Sequence, residues 1–224
     1  MSGILTGIAG VLVTALCAVL VGRSGSSWCR VYIRAVEDPP PRYTWLLSPP
    51  WQTGLALVVS ALVIGWAAAC DAPMDGLLAA PIAAILCQAG AVDAVCHRLP
   101  DALLLIAALL AILSGAVRLA TSPHAPTALS WLGATALAYA ITYLLSRIRS
   151  GMGYGDVKLM GVVGLWLGGY SFLAPLWALT AGAFIGGLAA LAFIVFRRAR
   201  LKDSVALGPY LIAGVLLVWA LAIS

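Results

Sequence analysis

Eight apolar runs, separated by short clusters of Gly, Pro and charged residues, make up most of this chain. A helix needs roughly 20 apolar residues to cross the ~30 Å hydrocarbon of a bilayer, and most of the runs approach that length. They predict an all-α fold, a polytopic integral membrane bundle of about eight transmembrane helices. Apolar residues make up 63% of the sequence, against roughly half in an ordinary soluble domain. We therefore expect a single membrane domain over residues 1–224 with no separate soluble domain.

The expected spans cover residues 4–21, 51–69, 77–96, 102–119, 128–145, 156–169, 173–196 and 205–223. Nothing basic precedes Arg23, so the first run reads as a retained helix with its N-terminus outside, not as a cleaved signal. Residues 23–50 form the long polar stretch, a cytoplasmic loop with room for a short helix near residues 28–36. Pro39-Pro40-Pro41 lies within it and favours extended backbone. Pro49 and Pro50 suit the first turn of the second span, and Trp45 and Trp51 suit the aromatic belt. Asp101, after Pro100, is placed to cap the fourth span. The sixth span is short, about 14 residues, and ends at a Gly168-Gly169-Tyr170-Ser171 hinge.

Charge sets the topology. With eight spans, Arg23, Arg30, Arg34, Arg42, Arg98, Arg147, Arg149, Lys158, Arg197, Arg198, Arg200 and Lys202 share one side, and of the 13 Lys and Arg only Arg118 lies on the other. The positive-inside rule puts the basic side in the cytoplasm and both termini outside. The same distribution argues against nucleic acid as a partner, because the basic residues form neither a face nor an arm.

The five cysteines, Cys17, Cys29, Cys70, Cys87 and Cys96, include no CxxC pair. They read as small buried hydrophobes, with no metal or disulfide framework implied. His97 and His124 fall in turns with no ligand set around them. The eight tryptophans read mostly as lipid-facing or interfacial.

The stretch Gly151-Met152-Gly153-Tyr154-Gly155-Asp156-Val157-Lys158 carries the chemistry. An acid at membrane depth is costly and points to function. A second acid, Asp93, lies in the last turn of the third span, at the same membrane face on this topology. Two carboxylates sharing one proton can activate water, the charged one as base and the protonated one polarising a peptide carbonyl. The N-terminal end of a helix dipole favours a charged Asp156, and the C-terminal end disfavours charge on Asp93. Asp93 is then the proton holder. Gly151, Gly153 and Gly155 can expose backbone to an extended peptide, Tyr154 can line the cleft, and Lys158 either orients the site or snorkels to the interface. The plainer reading of the stretch is a turn between two spans with Asp156 as a helix cap.

These residues resemble a known family. Gly153-Tyr154-Gly155-Asp156-Val157-Lys158 is similar to the GxGD signature of bacterial type IV prepilin peptidases, membrane aspartic proteases. Asp93, followed by Arg98-Leu99-Pro100-Asp101, resembles their first catalytic aspartate, and Leu207-Gly208-Pro209-Tyr210 resembles an element of their last span. The resemblance covers most of residues 77–220, which would be the catalytic core. It implies an endopeptidase in the bacterial inner membrane that removes the short basic leader of prepilins or pseudopilins at the cytoplasmic face. Asp93 and Asp156 would be catalytic, and no cofactor would be needed. Many family members hold zinc through two CxxC pairs in the first loop, in a region associated with N-methylation. Here that loop has only Cys29, so four-coordinate zinc cannot be built from it. The reading is a short-form peptidase without methylation attached.

A small transporter or proton channel is the rival reading, because intramembrane acids also mark ion paths. Against it, no repeat relates the two halves, and the acids lie at one face and not at the midplane.

Overall fold

The computed structural model describes residues 2–36, 44–121, 127–148, 152–196 and 206–224. Among these the chain is helical without strands. The α-helices are α1 (Ser2–Val19), α2 (Ser26–Val36), α3 (Pro49–Ala69), α4 (Pro73–Cys96), α5 (Asp101–Thr121), α6 (Ala128–Arg147), α7 (Tyr154–Leu167), α8 (Ala174–Val195) and α9 (Gly208–Ile223). Six helical stretches are long and apolar enough to cross a membrane: Leu5–Ala35, α3, α4, α5, α6 and α8. Among the described residues α9 is a shorter apolar helix, and α7, of 14 residues, is shorter still. The outward faces of the long stretches carry large apolar side chains, such as Val11, Leu62, Leu129 and Phe184. Contiguous apolar surface of this kind suits lipid and not water.

Helix boundaries follow local chemistry. Proline at the first or second position starts α3, α4 and α8, where its fixed φ is preorganised and no donor is lost. The span expected from residue 77 therefore starts sooner, and α4 begins at Pro73 with Asp75 in its first turn. Thr127 caps α6, its side chain accepting from the Ser130 N–H at 3.2 Å. Asp101, expected at the start of this span, lies in the first turn of α5. The Pro100 carbonyl accepts the Leu104 N–H at 3.2 Å, and Asp101 is the first helical residue. Val205, expected to open the last span, lies outside the described residues.

The largest difference from the sequence reading is in the first loop. Residues 23–36 are helical: a π-helical stretch, Leu20–Gly25, joins α1 to α2. Side chains support the wider turn. The Val21 carbonyl accepts the Ser26 N–H five residues on and also Gln88 Nε2 at 3.2 Å, and Ser26 Oγ donates to the Gly22 carbonyl at 2.5 Å. Glycine is required here, since a Cβ on Gly22 would fall 1.8 Å from Thr53 Oγ1.

The chain divides into two compact units, Met1–Ser114 with Ile223–Ser224, and Gly115–Ala222; the division falls within α5. In the first unit α3 packs on α1 and α4. The core there includes Cys17, Val21, Ala56 and Ala84. In α4, 67% of the apolar window is buried, against 17–33% in the other five spans, so it is the inner helix of this unit. A helix apolar all round is one that packs all round, and its alanines at 79, 80, 83, 84 and 89 allow close approach.

In the second unit the inner helix is α7, where nine of 14 residues are buried. A Cβ on Gly164 would lie 2.6 Å from Thr135 Cα, so α6 and α7 touch backbone to backbone. The Gly182–Leu211 approach, also 2.6 Å, joins α8 to α9 in the same way. The hinge after α7 is non-helical, and carbonyls of the last turn of α7 and of the hinge accept from side chains outside the helix. Trp131 Nε1 donates to Leu165 O at 2.8 Å, and Arg118 Nε donates to Gly169 O at 3.3 Å. The guanidinium of Arg118 also lies 3.8 Å over the Tyr170 ring. Arg118 thus has a structural duty. Trp166 and Trp219 are stacked and buried, unlike the outward tryptophans 45, 51, 66 and 177.

Candidate active site

Asp156 lies in the first turn of α7 and is 7% exposed. The helix starts at Tyr154 because Gly153, in extended conformation, ends the incoming segment as N-cap. Gly153 has no side chain to cap with. The Asp156 carboxylate does that work in reverse: its Oδ2 accepts the Gly153 N–H at 2.9 Å, while the Asp156 N–H donates to Gly153 O at 3.1 Å. This is half of a capping box. It meets an otherwise orphaned donor at a helix N-terminus and fixes one carboxylate oxygen.

Tyr154 and Gly155 were expected in the loop, and both belong to the first turn of α7. Helix begins early because Asp156 closes the turn from within. Gly151 lies outside the described residues. Tyr154 is exposed, and its hydroxyl shares a hydrogen bond with the Tyr139 hydroxyl of α6 at 3.3 Å. The ammonium of Lys158 lies 5.3 Å from the Tyr154 ring centroid, within cation–π reach. The structure therefore brings Gly153, Tyr154, Gly155, Asp156 and Lys158 together on one helix start.

Two residues at this end of α6 were not singled out in the sequence. Tyr139 and Tyr143 are stacked at 6.5 Å with an interplanar angle of 6°, and Arg147 donates to the Tyr143 hydroxyl. The signal was present: Tyr139, Tyr143 and Arg147 recur at four-residue spacing, which aligns them on one helix face.

Asp93 belongs to the first unit, in the last turn of α4, and is 6% exposed. Its carbonyl accepts the His97 N–H at 2.8 Å. His97 ends the helix in the left-handed region, with φ of 53°. That αL residue turns the chain sharply into Arg98, Leu99 and Pro100, the last two buried. Asp93 thus sits at the C-terminal end of the inner helix of its unit, and Asp156 at the N-terminal end of the inner helix of the other. Among the described residues, no three His, Cys, Asp or Glu side chains cluster as metal ligands.

No curated protein and no solved structure matches the chain. A model of the type IV leader peptidase family matches residues 80–191. The matched segment runs from α4 into α8, takes in both buried acids and the glycine stretch, and spans half of the sequence, so this chain belongs to the type IV leader peptidase family.

Proposed function

We propose that the chain is a membrane aspartic endopeptidase that cuts the short basic leader from type IV prepilins or pseudopilins at the cytoplasmic face, with Asp93 and Asp156 activating water together. Peptidase activity follows from the family. The observation that supports the aspartate assignment is burial: each acid is less than 10% exposed at a terminal turn of the most enclosed helix of its unit, inside the matched segment. Buried acids on apolar helices are functional by default.

In the proposed step, water adds through its oxygen to the scissile carbonyl carbon. Asp156 takes the water proton and protonated Asp93 gives its proton to the carbonyl oxygen. The tetrahedral intermediate then collapses as the C–N bond breaks. The proton held by Asp156 passes to the leaving nitrogen and the gem-diol proton returns to Asp93. A leader carboxylic acid and a new amino terminus leave, and both acids are restored. The Gly153 N–H on Oδ2 suits Asp156 to the charged role. Gly151, Gly153, Tyr154, Gly155 and Lys158 form the proposed docking edge for the extended peptide, whose apolar helix stays in lipid.

Co-expression with a prepilin tests the reading. Leader removal is expected to fall by roughly 10²-fold or more in both Asp93→Asn and Asp156→Asn. Full processing in either variant overturns the pair. A proton flux in vesicles lost with the same substitutions, without peptide cleavage, would establish the transporter reading instead. Labelling of single cysteines tests the orientation: positions 98 and 200 should react from the cytoplasm and position 171 from outside. Reaction of position 171 from the cytoplasm would mean that the 14-residue α7 does not cross.

A further inference from the structure

In the first unit, the end of α2 and the 3₁₀ turn Thr44–Leu47 enclose a cavity of about 380 Å³ lined by Arg30, Arg34, Thr44, Trp45 and Ser48 over buried Ile33. Its volume falls within the ~300–1,000 Å³ range of ligand sites. From these residues we infer that the cavity binds the phosphate headgroup of an anionic phospholipid.

Position along the membrane normal is the first argument. The helical stretch Leu5–Ala35 has 31 residues, or roughly 46 Å at 1.5 Å per residue. That exceeds the ~30 Å hydrocarbon by about ten residues. The excess matches α2, which is polar on one face and carries Arg30 and Arg34 one turn apart. Ser48 stands at the N-terminal boundary of α3, itself 21 residues and so about one hydrocarbon thickness long. Both walls of the cavity therefore belong at headgroup level.

Chemistry is the second argument. Guanidinium groups offer paired donors that match phosphate oxygens. Among the described residues, no acidic side chain is paired with Arg30 or Arg34 at salt-bridge distance, and Arg30 meets only Ser27 Oγ at 3.4 Å. The hydroxyls of Thr44 and Ser48 add further donors. Trp45 is half exposed and meets Trp51 edge to face at 4.9 Å, and tryptophan at a rim is a lipid–water interface residue. The third argument is rigidity. The turn is held by Ser48 N–H to Trp45 O at 3.0 Å and Gln52 Nε2 to Leu46 O at 2.8 Å, so the hydroxyls are placed before a ligand arrives.

The unaltered full chain gives the first test. It is reconstituted in vesicles of phosphatidylcholine and phosphatidylglycerol that contain a phosphatidylglycerol with a photoreactive headgroup. Adducts should concentrate at residues 30–34 and 44–48; adducts spread evenly over the basic segments would overturn the site. Native mass spectrometry of the detergent-solubilised chain gives the second. Arg30→Gln with Arg34→Gln should weaken retention of phosphatidylglycerol roughly tenfold or more. The charge-matched pair Arg23→Gln with Arg98→Gln should leave it unchanged, and equal loss in both pairs would show diffuse attraction and overturn the proposal. Displacement of the lipid by millimolar inorganic phosphate would show a free-phosphate site and overturn it as well. None of these readings depends on peptidase activity.

Discussion

The backbone N–H of Gly153 donates to Asp156 Oδ2 across 2.9 Å, so the side chain proposed as the base also closes the first turn of its own helix. The two duties separate by substitution. Asparagine keeps an oxygen that accepts the same N–H; alanine does not. Asp156→Asn is expected to abolish leader removal while leaving thermal stability in detergent unchanged. Asp156→Ala should abolish it and also cost about 1 kcal/mol, the usual loss of a cap. Processing by the asparagine variant would leave Asp156 with the cap alone.

The position of α7 depends on Gly164. With a Cβ 2.6 Å from Thr135 Cα, Gly164→Ala must separate two helix backbones. Overpacking of this kind costs about 1–3 kcal/mol, and the shift is transmitted along α7 toward Asp156. Gly187→Ala is the control, because nothing lies within 4 Å of its Cβ; there alanine should be neutral or stabilising by up to about 1 kcal/mol. Thermal unfolding should order the variants Gly187→Ala, parent, Gly164→Ala. Equal melting of the two variants would contradict the close crossing.

His97 holds φ of 53° at the end of α4, four residues beyond Asp93, whose carbonyl accepts its N–H. A β-branched residue is poorly tolerated there, and glycine carries no Cβ penalty. His97→Val should melt below His97→Gly by about 1–2 kcal/mol. The comparison isolates the backbone, since both variants lack the imidazole. The reverse order would show that residue 97 does not end the helix in this way.

Tyr154 and Tyr139 are joined through their hydroxyls at 3.3 Å. If that bond positions the docking edge, Tyr154→Phe and Tyr139→Phe should each raise KM for the prepilin several-fold with little change in kcat. The double variant should be no worse than either, as for two ends of one interaction. Additive effects would mean that the two hydroxyls act separately.

The sequence by itself determined the class of fold and the family, and it pointed to the two acids proposed here as catalytic. Long apolar runs in lipid have to satisfy their backbone internally, so helices follow from composition and length. The helix starts at Pro49 and Ala128 are short-range events, written in a few adjacent residues. Asp93 and Asp156 stood out because an acid is rare in an apolar run. Tertiary structure decided what depends on partners distant in the chain. Residues 23–50 read as a polar loop with room for a short helix near residues 28–36, yet residues 23–36 continue the first helix through a π turn braced by Gln88, 67 residues from Val21. No local pattern announces that brace. Nor does one announce that α4 and α7 are the inner helices, because their apolar residues look like those of any lipid-facing span. The difference lies in the neighbours: Thr135 against Gly164, and Trp219 against Trp166. The same holds for the cavity at Arg30 and Arg34, where two segments separate in sequence meet, and whose arginines looked like topology charges until Thr44 to Ser48 folded against them.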